Sequence, residues 1–359
     1  MSSMGHKVKI EIFGESHSAA IGATVTGLPA GEKIDIDELC AFMERRAPGR
    51  DATSTARKEP DRPEFLCGIV DGILTGAPLT AVIHNTDQHS RDYSDLRVRP
   101  RPSHADYAAS VRYRGANDIR GGGAFSGRLT APLCIGGGIA LQLLAKRGIY
   151  IGAHLASVAG VKDTAFDAVN IDKDTLLSAG KKPFPVLDGA AGEKMREAIL
   201  SAKADGDSVG GVIECAVIGM PAGHGGPLFE GVEGKISSAM FAVPAVKGIE
   251  FGSGFACTEM LGSEHNDPFV YEGGKVVTTT NNSGGIQGGI TNGMPIIFRV
   301  AMKPTPSILK EQNTVDLETK ENTTLLIHGR HDPCVAARAV PAIEAAAALC
   351  ILDLLEGNN

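Results

Sequence analysis

The 359-residue chain has no tryptophan, and only 5% of it is aromatic. Its core must therefore be aliphatic. Positive charge is also short, with a net charge of −7 that argues against a nucleic-acid scaffold. No two of its seven cysteines (Cys40, Cys67, Cys134, Cys215, Cys257, Cys334 and Cys350) form a CxxC pair, and the count is odd. Free thiols in a reducing cytoplasm are the expectation. Long hydrophobic runs are missing too. The apolar stretch near Ala345 to Leu355 is interrupted by Asp353 and preceded by Glu344, which makes it too short and too charged to cross a bilayer. No apolar signal segment opens the sequence, so no membrane association is expected.

What the chain does have is glycine, 45 residues of it, which suggests many tight turns and close backbone approaches. At 43% hydrophobic and 21% charged, it has the composition of an ordinary globular protein with a sizeable core. A strand-like run from Val8 to Phe13 leads into the turn GESHS and a second apolar run ending at Leu28. Asp35 then caps a helix that places Ile36, Leu39, Cys40 and Met43 on one face. Residues 50–63 read as a loop, 64–84 as strands around Gly68, Gly72 and Gly76, and 85–118 as a long polar loop. Asp188 caps a helix stopped by Gly206. GVIECAVIGMP and MPIIFRVAMKP read as strands, and a last helix starts near Pro341. Strands and helices mix without a βαβ rhythm, so an α+β fold in one domain spanning 1–359 is expected.

Arginine is concentrated in two groups. Arg45, Arg46, Arg50, Arg57 and Arg62 form the first. Arg91, Arg97, Arg99, Arg101, Arg112, Arg114, Arg120 and Arg128 form the second. Either is a solvated surface or a site for carboxylates and phosphates, which the planar guanidinium fork suits. His17, beside Glu15 and Ser16, is structural or functional on local grounds. His104 follows three alternating arginines and is placed to protonate a leaving phosphate or to sit in a surface loop. Gly121, Gly122 and Gly123 are expected to open a helix, with an anion at its N-terminus or with the glycines serving close packing. Arg330 and Asp332 share a side of an extended segment, where Asp332 forms an ion pair or caps the final helix.

Together these segments resemble chorismate synthases. The resemblance rests on FGESH, RRAPG with RKEPD, NTDQHSRDYS, RPSHADY, RGGG with SGR, PAVKGIEFG, NNSGGIQGGITNG, KPTPS, and GRHDPC with RAVPAIEA, in family order over roughly residues 8–355. It implies a β-α-β sandwich with antiparallel sheets around helices, assembled as a homotetramer. It implies loss of phosphate and a ring proton from 5-enolpyruvylshikimate 3-phosphate, with reduced FMN present and not consumed, and NADPH as a candidate reductant. By position it assigns flavin contacts to Ala124, Phe125, Ser126, Pro244, Ala245, Gly288, Lys303, Pro304, Thr305, Pro306, Ser307 and Arg330, with Arg46 shared between cofactor and substrate. Substrate contacts fall on Ser16, Arg46, Arg57, Arg101, Arg128 and Arg330. His17, His104 and Asp332 match the acid–base residues, His104 serving the phosphate, His17 acting beside the flavin and Asp332 tuning flavin N5. The chain departs from the family at Ser18 and Ser103, where glycine is usual. It departs again at AFSGRLT in place of RSSARET, and at Ala52 in place of a second NADP-associated arginine, with Arg50 nearby. A catalytically impaired homologue and a flavin oxidoreductase remain as alternatives at this level.

Overall fold

A computed structural model describes residues 2–49, 53–54, 61–85, 96–327, 329 and 331–357. Two five-stranded sheets, antiparallel throughout, frame the molecule. The first runs Ser3–Met4, Lys9–Gly14, Ala20–Thr26, Leu79–His84, Glu64–Cys67 in spatial order. The second runs Val246–Phe251, Ile296–Met302, Gly211–Ile218, Tyr150–Val158, Val161–Lys162. The helices are α1 (Ile36–Arg46), α2 (Asp106–Arg112), α3 (Thr130–Ala145), α4 (Lys173–Ala179), α5 (Gly189–Ala204), α6 (Val232–Phe241), α7 (Gly262–His265) and α8 (Ala336–Gly357).

Helix α3 packs against the first sheet, α8 against the second, and α3 and α8 pack against each other, giving the expected layering of sheet, helices, sheet. Strand alternation feeds this core: Ile21, Ala23 and Val25 are fully buried on one face, and Ile151, Ala153 and Leu155 do the same in the second sheet. The other face of the second sheet is covered by α4, whose Leu176 lies over Gly152. Asp35 caps α1 by accepting from Glu38 N at 3.0 Å, and Asp188 caps α5. The buried face of α1 is Leu39, Phe42, Met43 and Arg46, with Cys40 on its margin.

Three glycines in a row explain how α3 fits between its neighbours. A Cβ at Gly136 would lie 2.8 Å from Ile10 Cδ1, at Gly137 2.2 Å from Ala345 Cβ, and at Gly138 2.4 Å from Leu39 Cδ1. Each glycine therefore admits a different partner: the first sheet, α8 and α1. The Gly127–Ala145 stretch is long and apolar enough to cross a membrane by length and composition alone, yet 78% of it is buried inside the fold.

The two acids that break the apolar C-terminal run are tied down. Glu344 accepts from Arg45 Nη2 and from Ala153 N, each at 2.9 Å. Asp353 accepts from the backbone N–H groups of His6, Lys7 and Val8, which ties α8 to the start of the first sheet.

Three local expectations are corrected. Helix α8 begins at Ala336 and contains Pro341, because burial of Ala336, Ala339 and Val340 outweighs the tendency of proline to open a helix. Helix α2 lies within the stretch expected to be a loop. Gly121, Gly122 and Gly123 do not open a helix. All three have positive φ, at 59°, 88° and 51°, and α3 starts only at Thr130.

Candidate active site

A cleft of about 640 Å³ opens between the loops that precede α3, the end of α6, the end of strand Ile296–Met302 and the start of α8. That volume lies within the roughly 300–1,000 Å³ of small-molecule sites. Among the described residues, Arg46, Arg101, Arg128, Arg338, Lys247 and Lys303 line it, against the single lining acid Asp332. An acidic chain thus carries a locally basic cleft suited to a multiply charged anion.

Arg46 comes from the last turn of α1 and Arg128 from the turn before α3. They are 3% and 5% exposed and share one carboxylate, that of Asp61, which is 1% exposed. Arg46 Nη1 donates to Asp61 Oδ2 and Arg128 Nη1 to Asp61 Oδ1. Arg46 also donates from Nε to Thr130 Oγ1 at 3.0 Å, and Arg128 from Nε to Asn85 Oδ1 at 3.0 Å. Burial opposes ionisation of Asp61, but the two guanidinium groups prevail and hold its pKa below the usual carboxylate range. Asp61 adopts φ 50°, a left-handed conformation uncommon for residues other than glycine. Sequence reasoning passed over this residue.

Asp106, in the first turn of α2, organises a second group. It accepts from Arg101 Nε at 2.7 Å and Nη2 at 2.8 Å, and lies 2.6 Å from His104 Nδ1. Burial opposes ionisation here too, and hydrogen bonds from Arg101 and His104 outweigh it, so its pKa falls well below the ordinary value. Arg101 also donates to Ser307 Oγ at 3.3 Å. Ser103 takes φ 58°, and its carbonyl accepts from Lys303 Nζ. Burial, with Lys247 close by, lowers the Lys303 pKa, so an arriving anion would favour its charged form.

The glycine turn supplies close packing. A Cβ at Gly121 would lie 2.3 Å from His17 Nδ1 and 2.5 Å from Ser16 Oγ, and one at Gly122 would lie 3.2 Å from His104 Nε2. Both histidines are thereby covered by bare backbone. Gly121 lines the cleft; His17 and Ser16 lie buried against it. Ser18 closes the GESHS turn on itself, accepting from Glu15 N at 2.9 Å and sharing its one hydroxyl proton between Glu15 O at 2.8 Å and Ala20 O at 2.7 Å.

Ala124, Phe125, Ser126, Pro244, Ala245, Lys303, Thr305, Pro306 and Ser307 all line the cleft, as do His104 and Asp332. Asp332 pairs with Arg338, which reaches back from α8 and also donates to Arg46 O at 3.3 Å. Pro304 and Gly288 are not among the lining residues. Gly288 and Gly289 form the two-residue turn joining Ile286–Gln287 to Ile290–Thr291, where φ of 62° and 83° suits glycine. Arg57 and Arg330 lie outside the described residues. Other arginines of the second group are engaged away from the cleft: Arg97 with Gly115 O, Arg99 with Asp316, and Arg120 with Asp118.

The family model for chorismate synthase matches residues 8–355. The chain belongs to the chorismate synthase family. It is 46% identical to the chorismate synthase of Lancefieldella parvula, over 99% of this chain and 96% of that one. It is 45% identical to the chorismate synthase of Thermococcus kodakarensis, over 98% and 96%. A crystal structure of chorismate synthase superposes with a TM-score of 0.76 and 25% identity, covering 99% of this chain and 93% of that one. The family consists of carbon–oxygen lyases of the shikimate pathway, and the chain is an enzyme of that class acting on a small molecule.

The family's reduced flavin needs both an apolar wall and polar donors. Phe125, Val243, Pro244, Val246, Met302 and Ala339 provide the first. For the second, Thr305 Oγ1 and Ser16 Oγ are buried with no hydrogen-bond partner among the described residues. Buried hydroxyls are normally satisfied, so Thr305, which lines the cleft, offers a donor to a ligand there, whereas Ser16 lies behind Gly121 and does not line it. Ala124 offers none from its side chain.

Proposed function

We propose that the chain converts 5-enolpyruvylshikimate 3-phosphate to chorismate by anti-1,4-elimination of phosphate and a ring proton, with reduced FMN as cofactor and no net redox change. The observation that carries this is one cleft bringing His104 together with Arg46, Arg101 and Arg128, each arginine held by a buried carboxylate. These arginines grip the substrate carboxylates and phosphate through charge-assisted bonds. His104 gives a proton to the phosphate oxygen as the carbon–oxygen bond breaks, and His17 and Asp332 complete the acid–base set.

Ala124, Phe125, Ser126, Pro244, Ala245 and Lys303 to Ser307 would hold the flavin, with Pro304 supporting its neighbours. When bound, reduced FMN supplies the electron chemistry that side chains lack. NADPH would serve at most to reduce it. A cytoplasmic location fits the unpaired state of all seven cysteines. A homotetramer fits the exposed aromatic side chains Phe229, Phe255, Phe269 and Tyr271.

The test is an anaerobic assay with photoreduced FMN and the enolpyruvyl substrate. Phosphate and chorismate should appear in equal amounts over many turnovers per FMN. Oxidation of one NADPH per product would overturn the lyase in favour of an oxidoreductase, and FMN binding without product would indicate an impaired homologue.

A further inference from the structure

We infer that Asp106 is a positioning residue that fixes His104 as its Nδ1–H tautomer and so aims Nε2 at the leaving phosphate. This deepens the proposed acid role of His104 and rests on it.

The tautomer follows from geometry. His104 Nδ1 lies 2.6 Å from Asp106 Oδ1 and 3.0 Å from Arg101 Nη2. One nitrogen cannot both donate to the carboxylate and accept from the guanidinium. Asp106 is held ionised by Arg101, which donates to both of its oxygens. An ionised oxygen is only an acceptor, so a proton-free contact at 2.6 Å would set lone pair against lone pair. The proton must sit on Nδ1, and the Arg101 contact is then simple proximity, since both groups share the same oxygen.

Nε2 is left as the exchanging atom. It faces Gly122, where a side chain would come within 3.2 Å of it. Asp106 is only 6% exposed, so water does not compete for its oxygens. The charged groups facing His104 are Asp106 from α2, Arg101 from the preceding segment, and Lys303, which reaches Ser103 O from the end of strand Ile296–Met302.

The experiment combines Asp106→Asn, His104→Ala and the double variant, each assayed for kcat and KM with reduced FMN and substrate. Asp106→Asn should lower kcat by roughly tenfold or more. Its loss cannot exceed that of His104→Ala, about 10²–10⁴-fold. In the His104→Ala background it should cost no further kcat. Additive kcat losses with a raised KM would show that Asp106 serves only Arg101, and would overturn the inference.

The unaltered protein gives a second readout that survives a folding failure of Asp106→Asn and of the double variant. In its ¹⁵N spectrum, the His104 ring, assigned by its absence in His104→Ala, should be the Nδ1–H tautomer when neutral. The Nε2–H tautomer would overturn the inference. Undiminished turnover by His104→Ala would instead overturn the acid role itself and leave the tautomer standing.

Discussion

Asp61 shows how much one residue can set. Its two oxygens fix the spacing of Arg46 and Arg128, and its left-handed backbone is a conformation that asparagine tolerates well. Asp61→Asn therefore isolates the charge from the backbone geometry. The amide retains one acceptor oxygen and turns donors toward the other guanidinium. Breaking a buried pair this way costs roughly 3–5 kcal/mol, read as a lower urea midpoint. The pH dependence has a definite sign. The folded-state pKa of Asp61 lies below the unfolded one, so its contribution is present above the unfolded value of about 3.9 and is lost as pH falls through the folded value. The acid unfolding of Asp61→Asn should lack that component. Arg128→Ala tests the site rather than the fold. A charge-assisted bond to an anion is worth about 1.5–3 kcal/mol, so kcat/KM should fall roughly 10- to 100-fold, chiefly through KM. An unchanged KM in a destabilised protein would mark Arg128 as structural.

At the scale of elements, the contact between α3 and α8 depends on Gly137. A Cβ there would lie 2.4 Å from the Ala345 backbone Cα, which cannot rotate away. Gly137→Val should force the helices apart, cost roughly 1–3 kcal/mol or more, and lower the thermal midpoint. The same change at Gly148, where a Cβ meets nothing within 4 Å but φ is 76°, tests backbone strain alone. The second sheet carries a charged row across four strands: His154 opposite Glu214, Glu214 opposite Arg299, Arg299 opposite Glu250. His154 is fully buried, 2.9 Å from Asp163 and 3.0 Å from Glu214. Burial disfavours its charged form, but the two carboxylates win and raise its pKa. A raised folded pKa gives stability that is complete below the unfolded value of about 6.5 and is lost as pH rises through the folded value. The unfolding free energy should decline over that window, and His154→Gln should flatten the decline. An unchanged slope would mean that His154 stays neutral.

At the scale of the whole molecule, the cleft gathers cations from α1, the segment before α2, the turn before α3, the strand Val246–Phe251, the end of the strand Ile296–Met302 and α8. Six separate stretches of chain set one charge density, so a single anion compensates only part of it. Oxidised FMN should bind weakly alone and more tightly once substrate is present. Titration of FMN fluorescence with and without substrate measures this, and equal affinities would show that the two sites are independent.

Sequence alone determined the family, the α+β class, the caps at Asp35 and Asp188, and most of the arginines and histidines that line or flank the cleft. Those features are local, or are motifs whose order along the chain is itself the signal. Tertiary structure decided which arginines matter, because Arg97, Arg99 and Arg120 find other partners while Arg46, Arg101 and Arg128 meet at the cleft. It also decided the role of the glycines at 121–123, of which Gly121 packs over His17, Gly122 over His104 and Gly123 against the Asp118 carbonyl, none opening a helix. It revealed Asp61 and Asp106 as anchors. Neither is conspicuous in a chain with 42 acidic residues. Their meaning lies in burial beside a guanidinium, and the Arg46 and Arg128 that share Asp61 stand 15 and 67 residues away from it in sequence. Pairing across such distances depends on how α1, α3 and the intervening loops pack, a long-range outcome that no local pattern encodes.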